Sequence, residues 1–92
     1  MIISFKHKGL EMFFKMGNTK GINSEHAAKI RRILEQLRRA KEIRDMDAPG
    51  YNLHQLKGDR QDIWSVTVRA NWRITFKFEN GDASILDYED YH

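Results

Sequence analysis

The chain has 92 residues, 40% hydrophobic and 11% aromatic, with one Pro, no Cys and a formal charge of +3. That composition is a folded globule's and excludes a disordered tail, although a domain of this length buries only about two thirds of the surface its unfolded chain exposes. Lacking Cys, it has no disulfides, thiolate zinc sites or cysteine nucleophiles; lacking any long apolar run or apolar leader before Leu10, it reads as one soluble, cytoplasmic domain over residues 1–92.

Charge is segregated along the chain. Every Lys and Arg lies at or before Lys77, and beyond it come only the acids Glu79, Asp82, Asp87, Glu89 and Asp90. A basic body of this kind suits a polyanion or an acidic protein as partner.

Ile2, Ile3 and Phe5 are strand formers, and Leu10, Phe13 and Phe14 then recur at helical spacing over about residues 6–16. Gly17, Asn18 and Gly21 mark a loop, after which Asn23 or Ser24 caps a long helix by accepting a backbone N–H of its first turn. Ala27, Ile30, Ile33, Leu34, Leu37 and Ala40 form its apolar stripe, while Arg31, Arg32, Glu35, Arg38 and Arg39 fall on the opposite side. Such a helix lies on a sheet and turns a basic back to solvent. Pro49 and Gly50 end the helical part.

The rest reads as an antiparallel meander: a strand over 51–56, a loop over 57–61 and three further strands. Trp64, Val66 and Val68 alternate with Ser65, Thr67 and Arg69, and Trp72, Ile74, Phe76 and Phe78 alternate with Arg73, Thr75 and Lys77. Each strand therefore has an apolar and a polar face. Keeping the two apolar sets in phase predicts a three-residue turn of Arg69, Ala70 and Asn71, because a two-residue turn would pair Arg69 with Trp72. Asn80-Gly81 is a two-residue hairpin turn that pairs Glu79 with Asp82. Counting from it sets Phe76 against Ile85 and Arg73 against Tyr88, so that Tyr88, Asp90 and His92 would share a face with Arg73, Thr75 and Lys77.

The segments Leu53-His54-Gln55-Leu56-Lys57-Gly58-Asp59-Arg60, Trp64 through Ile74 with its Val68-Arg69-Ala70-Asn71-Trp72-Arg73 centre, and Asp87-Tyr88-Glu89-Asp90-Tyr91-His92 together resemble the HigB toxins, a branch of the RelE/ParE superfamily. The start Ser4-Phe5-Lys6-His7-Lys8-Gly9-Leu10 is similar to theirs as well, so the resemblance runs end to end. It implies an α+β, microbial-RNase-like fold: an antiparallel sheet with N-terminal helices packed on one face and an active site on the other, concave face. It further implies a type II toxin that cuts mRNA codons in the ribosomal A site. The implied partners are the ribosome and a HigA-like helix-turn-helix antitoxin that represses the shared operon, with no direct DNA binding by the toxin itself. The family's cleavage residues match His54, Asp90, Tyr91 and His92, and its basic phosphate contacts match Lys57 and Arg73. A ParE-like, non-enzymatic inhibitor of DNA gyrase is the alternative on the same fold, and would not need a proton-transfer set at its C-terminus.

Cutting RNA without a metal needs a base for the 2'-OH proton, cations to hold the phosphorane, and an acid for the departing 5' oxygen. Either His54 or His92 serves as base with the other as acid, Asp90 orients an imidazole or substitutes as base, Arg73 and Lys57 hold phosphate, and Tyr91 stacks on a base or donates a proton. Metal spacing is missing, since no His-x-x-x-His occurs, and no cofactor is expected. Each residue also has a plainer reading: His54 as a packed strand residue, Tyr91 and His92 as a frayed end, Asp87, Glu89 and Asp90 as a solvated edge, and residues 57–60 as a turn in which only Lys57 is functional. Arg31, Arg32, Arg38 and Arg39 are either a solvated face or a contact for rRNA phosphates, which the resemblance favours.

Overall fold

The computed structural model describes residues 1–90. Two helices cover one face of a four-stranded antiparallel sheet, an α+β arrangement. Helix α1 spans Lys8–Met16 and begins later than its apolar spacing suggests, because His7 caps it: Leu10 N–H donates to His7 Nδ1 at 3.0 Å. Gly17, in the left-handed region at φ 71°, closes the other end with its N–H on the Phe13 carbonyl. Asn23 is the N-terminal cap, accepting from Glu25 N–H at 3.0 Å, but it caps a 3-10 turn over Ser24–His26 that leads into helix α2, Ala27–Arg39.

The expected stripe is the buried one, with Ile30, Ile33, Leu34 and Leu37 all inside. Gly9 of α1 crosses Gly21 backbone to backbone, so close that a methyl on Gly9 would overlap the Gly21 carbonyl group, with its carbon only 2.7 Å away. A further 3-10 turn, Ile43–Met46, follows α2, where the Asp45 carboxylate accepts the N–H groups of Lys41 and Glu42.

Strands β1 (His54–Gln55), β2 (Ile63–Arg69), β3 (Trp72–Glu79) and β4 (Asp82–Asp90) lie side by side in that order. The strand expected over 51–56 shrinks to two residues because Asn52 takes φ 48° and bends the chain, although Tyr51 and Leu56 still bond to β2 through Thr67 N–H and the Ile63 carbonyl. Ile2 and Phe5 bridge in parallel to Ala83 and Leu86, so the N-terminal segment straps the outer edge of β4. Val66, Val68, Ile74, Phe76, Ala83, Leu86 and Tyr88 on the sheet pack against Leu10, Phe13, Ile30, Ile33, Leu34 and Leu37 on the helices.

Two bulges correct the expected registers. Arg69 does pair with Trp72, around a two-residue turn whose left-handed residue is Ala70 at φ 52°. The extra residue that keeps the apolar sets in phase is Val68, bulged between Thr67 and Arg69, and not a third turn residue. The Asn80-Gly81 turn, with φ of 52° and 82°, pairs Glu79 with Asp82 as expected.

Beyond Ser84, however, β4 carries an additional residue opposite Phe76, with Ile85 at φ 47°. Every later residue changes face. Arg73 pairs with Glu89, not Tyr88; Tyr88 pairs with Ile74 and enters the core; and Asp90 pairs with Trp72, out of phase with Arg73. The cause is burial. An unbroken alternation from Ala83 would drive Asp87 and Glu89 into the core, and burying unpaired carboxylates costs far more than about 1–3 kcal/mol of bulge strain. The shifted register buries Leu86 and Tyr88 instead.

Candidate active site

Because directly paired residues share a face, the registers define the sheet face away from the helices row by row. Across the sheet, His54, Ser65, Thr75 and Asp87 form one row; Thr67, Arg73 and Glu89 form the next; and Ile63, Lys77 and Ser84 flank the first on its other side. His54, half-buried, holds its Nδ1 at 3.0 Å from the Asn52 carbonyl oxygen. A carbonyl only accepts, so Nδ1 carries the hydrogen, which leaves Nε2 as the position open to proton transfer. His54, Gln55, Leu56, Lys57 and Arg60 line a groove at the β1 end of this surface, with Lys57 exposed beside the imidazole. Arg73 is half-buried and donates from Nη1 to Thr67 Oγ1 at 2.7 Å.

Sequence reasoning missed the ion cluster that binds this surface together. Arg60 donates both guanidinium ends to Glu89, at 3.1 and 2.6 Å, and the buried Thr75 hydroxyl donates to the same carboxylate at 2.5 Å. The Arg60 hydrogen bond, against the opposing effect of burial, holds the Glu89 carboxyl below the usual carboxylate range. Arg60 thereby fixes the turn Gly58–Arg60, which carries one wall of the His54 groove, to strand β4. The available signal was the parity break at Ile85-Leu86, which assigns Glu89 rather than Tyr88 to the face of Arg73.

The expected grouping of Tyr88 and Asp90 with Arg73 is thus replaced by Asp87 and Glu89. Asp90 is an exposed carboxylate at the end of β4. Tyr91 and His92 lie outside the described residues. Two other histidines are used structurally: His7 caps α1, and His26 sits in the core, where its Nδ1 is 2.6 Å from the Tyr88 hydroxyl. Asn23 N–H donates to that hydroxyl at 3.4 Å. Trp72 stacks on Tyr88 with ring centroids 4.5 Å apart. Among the described residues no group of three or more His, Cys, Asp or Glu could hold a metal ion, and no helix is long and apolar enough to cross a membrane.

The basic back of α2 lies on the helical side of the sheet, opposite the face that carries His54 and Arg73. Arg31, Arg32, Arg38 and Arg39 are all exposed. Arg38 pairs with Glu35 at 3.0 Å, Arg39 donates to the Glu35 carbonyl at 3.4 Å, and Arg31 lies 5.2 Å over the Phe13 ring. Some of their charge is therefore already engaged within the helices.

Comparison with known proteins agrees with this arrangement. A family model described as the RelE-like toxin of type II toxin-antitoxin system HigB matches residues 3–92. The chain is also 54% identical, over all 92 residues and the full length of the relative, to a Proteus vulgaris protein named Endoribonuclease HigB. Helices on one face of an antiparallel sheet, polar residues on the other and a match over nearly the whole chain lead to one conclusion: the chain belongs to the HigB-like toxin family of type II toxin-antitoxin systems.

Proposed function

We propose that this toxin is an endoribonuclease that cuts messenger RNA in the ribosomal A site, working in the cytoplasm and restrained by a helix-turn-helix antitoxin. The observation that carries the reading is that His54, Lys57 and Arg73 share the sheet face away from the helices, in a chain 54% identical to a protein named as an endoribonuclease.

The chemistry follows from the groups. His54, with a lone pair at Nε2, accepts the proton of the ribose 2'-OH as that oxygen attacks phosphorus. Lys57 and Arg73 bear the charge that builds on the phosphorane, Arg73 being steadied by Thr67. The P–O5' bond breaks as an acid protonates the leaving oxygen, giving a 2',3'-cyclic phosphate and a 5'-OH. His92 is assigned as that acid or as the base in exchange with His54, with Asp90 orienting an imidazole and Tyr91 stacking on a displaced base or giving a proton. No metal enters the scheme, because these groups supply each proton transfer and each countercharge, and general acid-base steps contribute about 10²–10⁴-fold each. On the helical side, Arg31, Arg32, Arg38 and Arg39 are assigned to rRNA phosphates.

The test is primer extension on translating ribosomes. Wild type should stop the reverse transcript within the A-site codon, and His54→Ala should suppress that stop by about 100-fold or more while leaving the melting temperature near wild type. Intact mRNA with wild-type protein, or full cleavage by His54→Ala, overturns the assignment.

A further inference from the structure

Beside the His54 groove the same sheet face holds a second pocket, lined by Lys6, Arg60, Ile63, Thr75, Ile85 and Asp87. Arg60 lines both, so the two adjoin at this residue. The geometry points to this pocket as a subsite for the base of a nucleotide flanking the scissile phosphate. The inference rests on the RNA-cleaving reading above and adds a binding site to it.

Three observations carry the assignment. Ile85 is a β-branched residue at φ 47°, a conformation that costs such a side chain heavily, and it remains 45% exposed. The bulge is needed for register, but Gly or Asn would occupy its left-handed position with less strain. An isoleucine there presents an apolar side chain to the pocket at the expense of stability. Ile63 lies opposite Lys77 in the flanking row and supplies a second apolar wall.

The charges point the same way. Lys6 is 3.9 Å from Asp87, and Arg60 is held by Glu89, so two cations meet two carboxylates and the pocket is electrically balanced. A balanced pocket with apolar walls and a polar rim suits an uncharged ring with apolar faces and hydrogen-bonding edges. It does not suit a second phosphate. Arg60, as a planar guanidinium, adds a stacking surface of the kind RNA sites use for unpaired bases.

Position completes the argument. His54 and Asp87 stand in one row across four strands, three spacings of about 4.8 Å each. A chain whose phosphate lies beside His54, Lys57 and Arg73 therefore reaches this pocket by continuing along the row.

The test combines Ile85→Asn and Ile85→Gly with mRNAs carrying one abasic nucleotide at successive positions around the cut, presented on programmed ribosomes. Wild type should lose about ten-fold in cleavage rate, the equivalent of about 1.4 kcal/mol, when the base is missing at one flanking position. The variants should cut intact mRNA about ten-fold more slowly, be indifferent to the same missing base, and melt at or above the wild-type temperature. A variant that loses activity together with thermal stability, or that keeps the wild-type sensitivity to the abasic position, overturns the subsite. So do variants that cut normally and lose only antitoxin binding, which would assign the pocket to a protein segment.

A second measurement separates this inference from the enzymatic reading. His54→Ala is irradiated on ribosomes whose mRNA carries a photoreactive base at that flanking position. Crosslinks to peptides containing Ile63 or Ile85 support the subsite even if no RNA is cut by wild type, and crosslinks confined to other peptides overturn it even if RNA is cut.

Discussion

Replacing Glu89 by Gln removes the charge that ties β4 to the turn carrying one wall of the His54 groove, and the structure sets the size and pH dependence of the effect. Glu89 receives two hydrogen bonds from Arg60 and one from Thr75, and its side chain is 21% exposed against 42% for Arg60. Hydrogen bonds to charged groups contribute about 1.5–3 kcal/mol. The exposure of Arg60 discounts the ionic share, and the amide retains part of the bonding. The expected loss is about 1–2 kcal/mol at pH 7, lowering the melting temperature by about 5–15 °C in a domain this small.

The sign with pH is fixed by the depressed Glu89 carboxyl. Between its folded value and the ordinary 4.5, the unfolded chain binds more protons, so the contribution is complete above 4.5 and is lost as pH falls through the folded value. Glu35 and Asp45, which are also held low, cancel because both proteins contain them. Urea unfolding of wild type and Glu89→Gln, followed by Trp64 and Trp72 fluorescence, should give a constant difference from pH 6 to pH 8 that shrinks below 4.5. A difference that stays fixed or grows on acidification refutes the clamp.

Gly9→Ala should cost about 2–4 kcal/mol, in the range of severe core changes, because its methyl meets the Gly21 backbone and not a yielding side chain; thermal melting equal to wild type would show that the crossing relaxes freely. Tyr88→Phe should cost about 1–2 kcal/mol, since it strands His26 Nδ1 in the core, and an unchanged urea midpoint would mean that water replaces the hydroxyl. For the basic back of α2, Arg32→Ala with Arg39→Ala should weaken ribosome binding and flatten its salt dependence by about one logarithmic unit of slope per lost phosphate contact. A parallel salt dependence would assign that face to solvent.

What the sequence disclosed follows the strength of its local signals. Asn23 caps the 3-10 turn ahead of α2 and not α2 itself, whereas the α2 stripe and the Asn80-Gly81 turn are short-range and came through as read, because each depends on residues close in sequence. The two bulges did not. Val68 and Ile85 look like ordinary strand residues, and their displacement follows from a non-local choice of which neighbours enter the core. At β4 that choice was written in the pattern Ile85-Leu86-Asp87-Tyr88-Glu89, where two adjacent apolar residues precede an alternation of opposite phase.

Of the residues on the sheet face away from the helices, His54, Lys57 and Arg73 were named from the family motif, whereas Arg60 and Glu89 were not. Their partnership spans 29 positions and depends on the parity shift. Asp90 illustrates the same sensitivity: one inserted residue moves it from opposite Asn71 to opposite Trp72.

The central claim is that the sheet face carrying His54 and Arg73 cuts RNA by using the RNA's own 2'-OH. Its most direct test is an A-site codon in which the nucleotide on the 5' side of the cut is a single 2'-deoxy residue. The account predicts that wild-type toxin leaves this bond intact on the ribosome while cutting the all-ribose control to a 2',3'-cyclic phosphate and a 5'-OH. Cleavage of the deoxy-substituted codon at the control rate would contradict it.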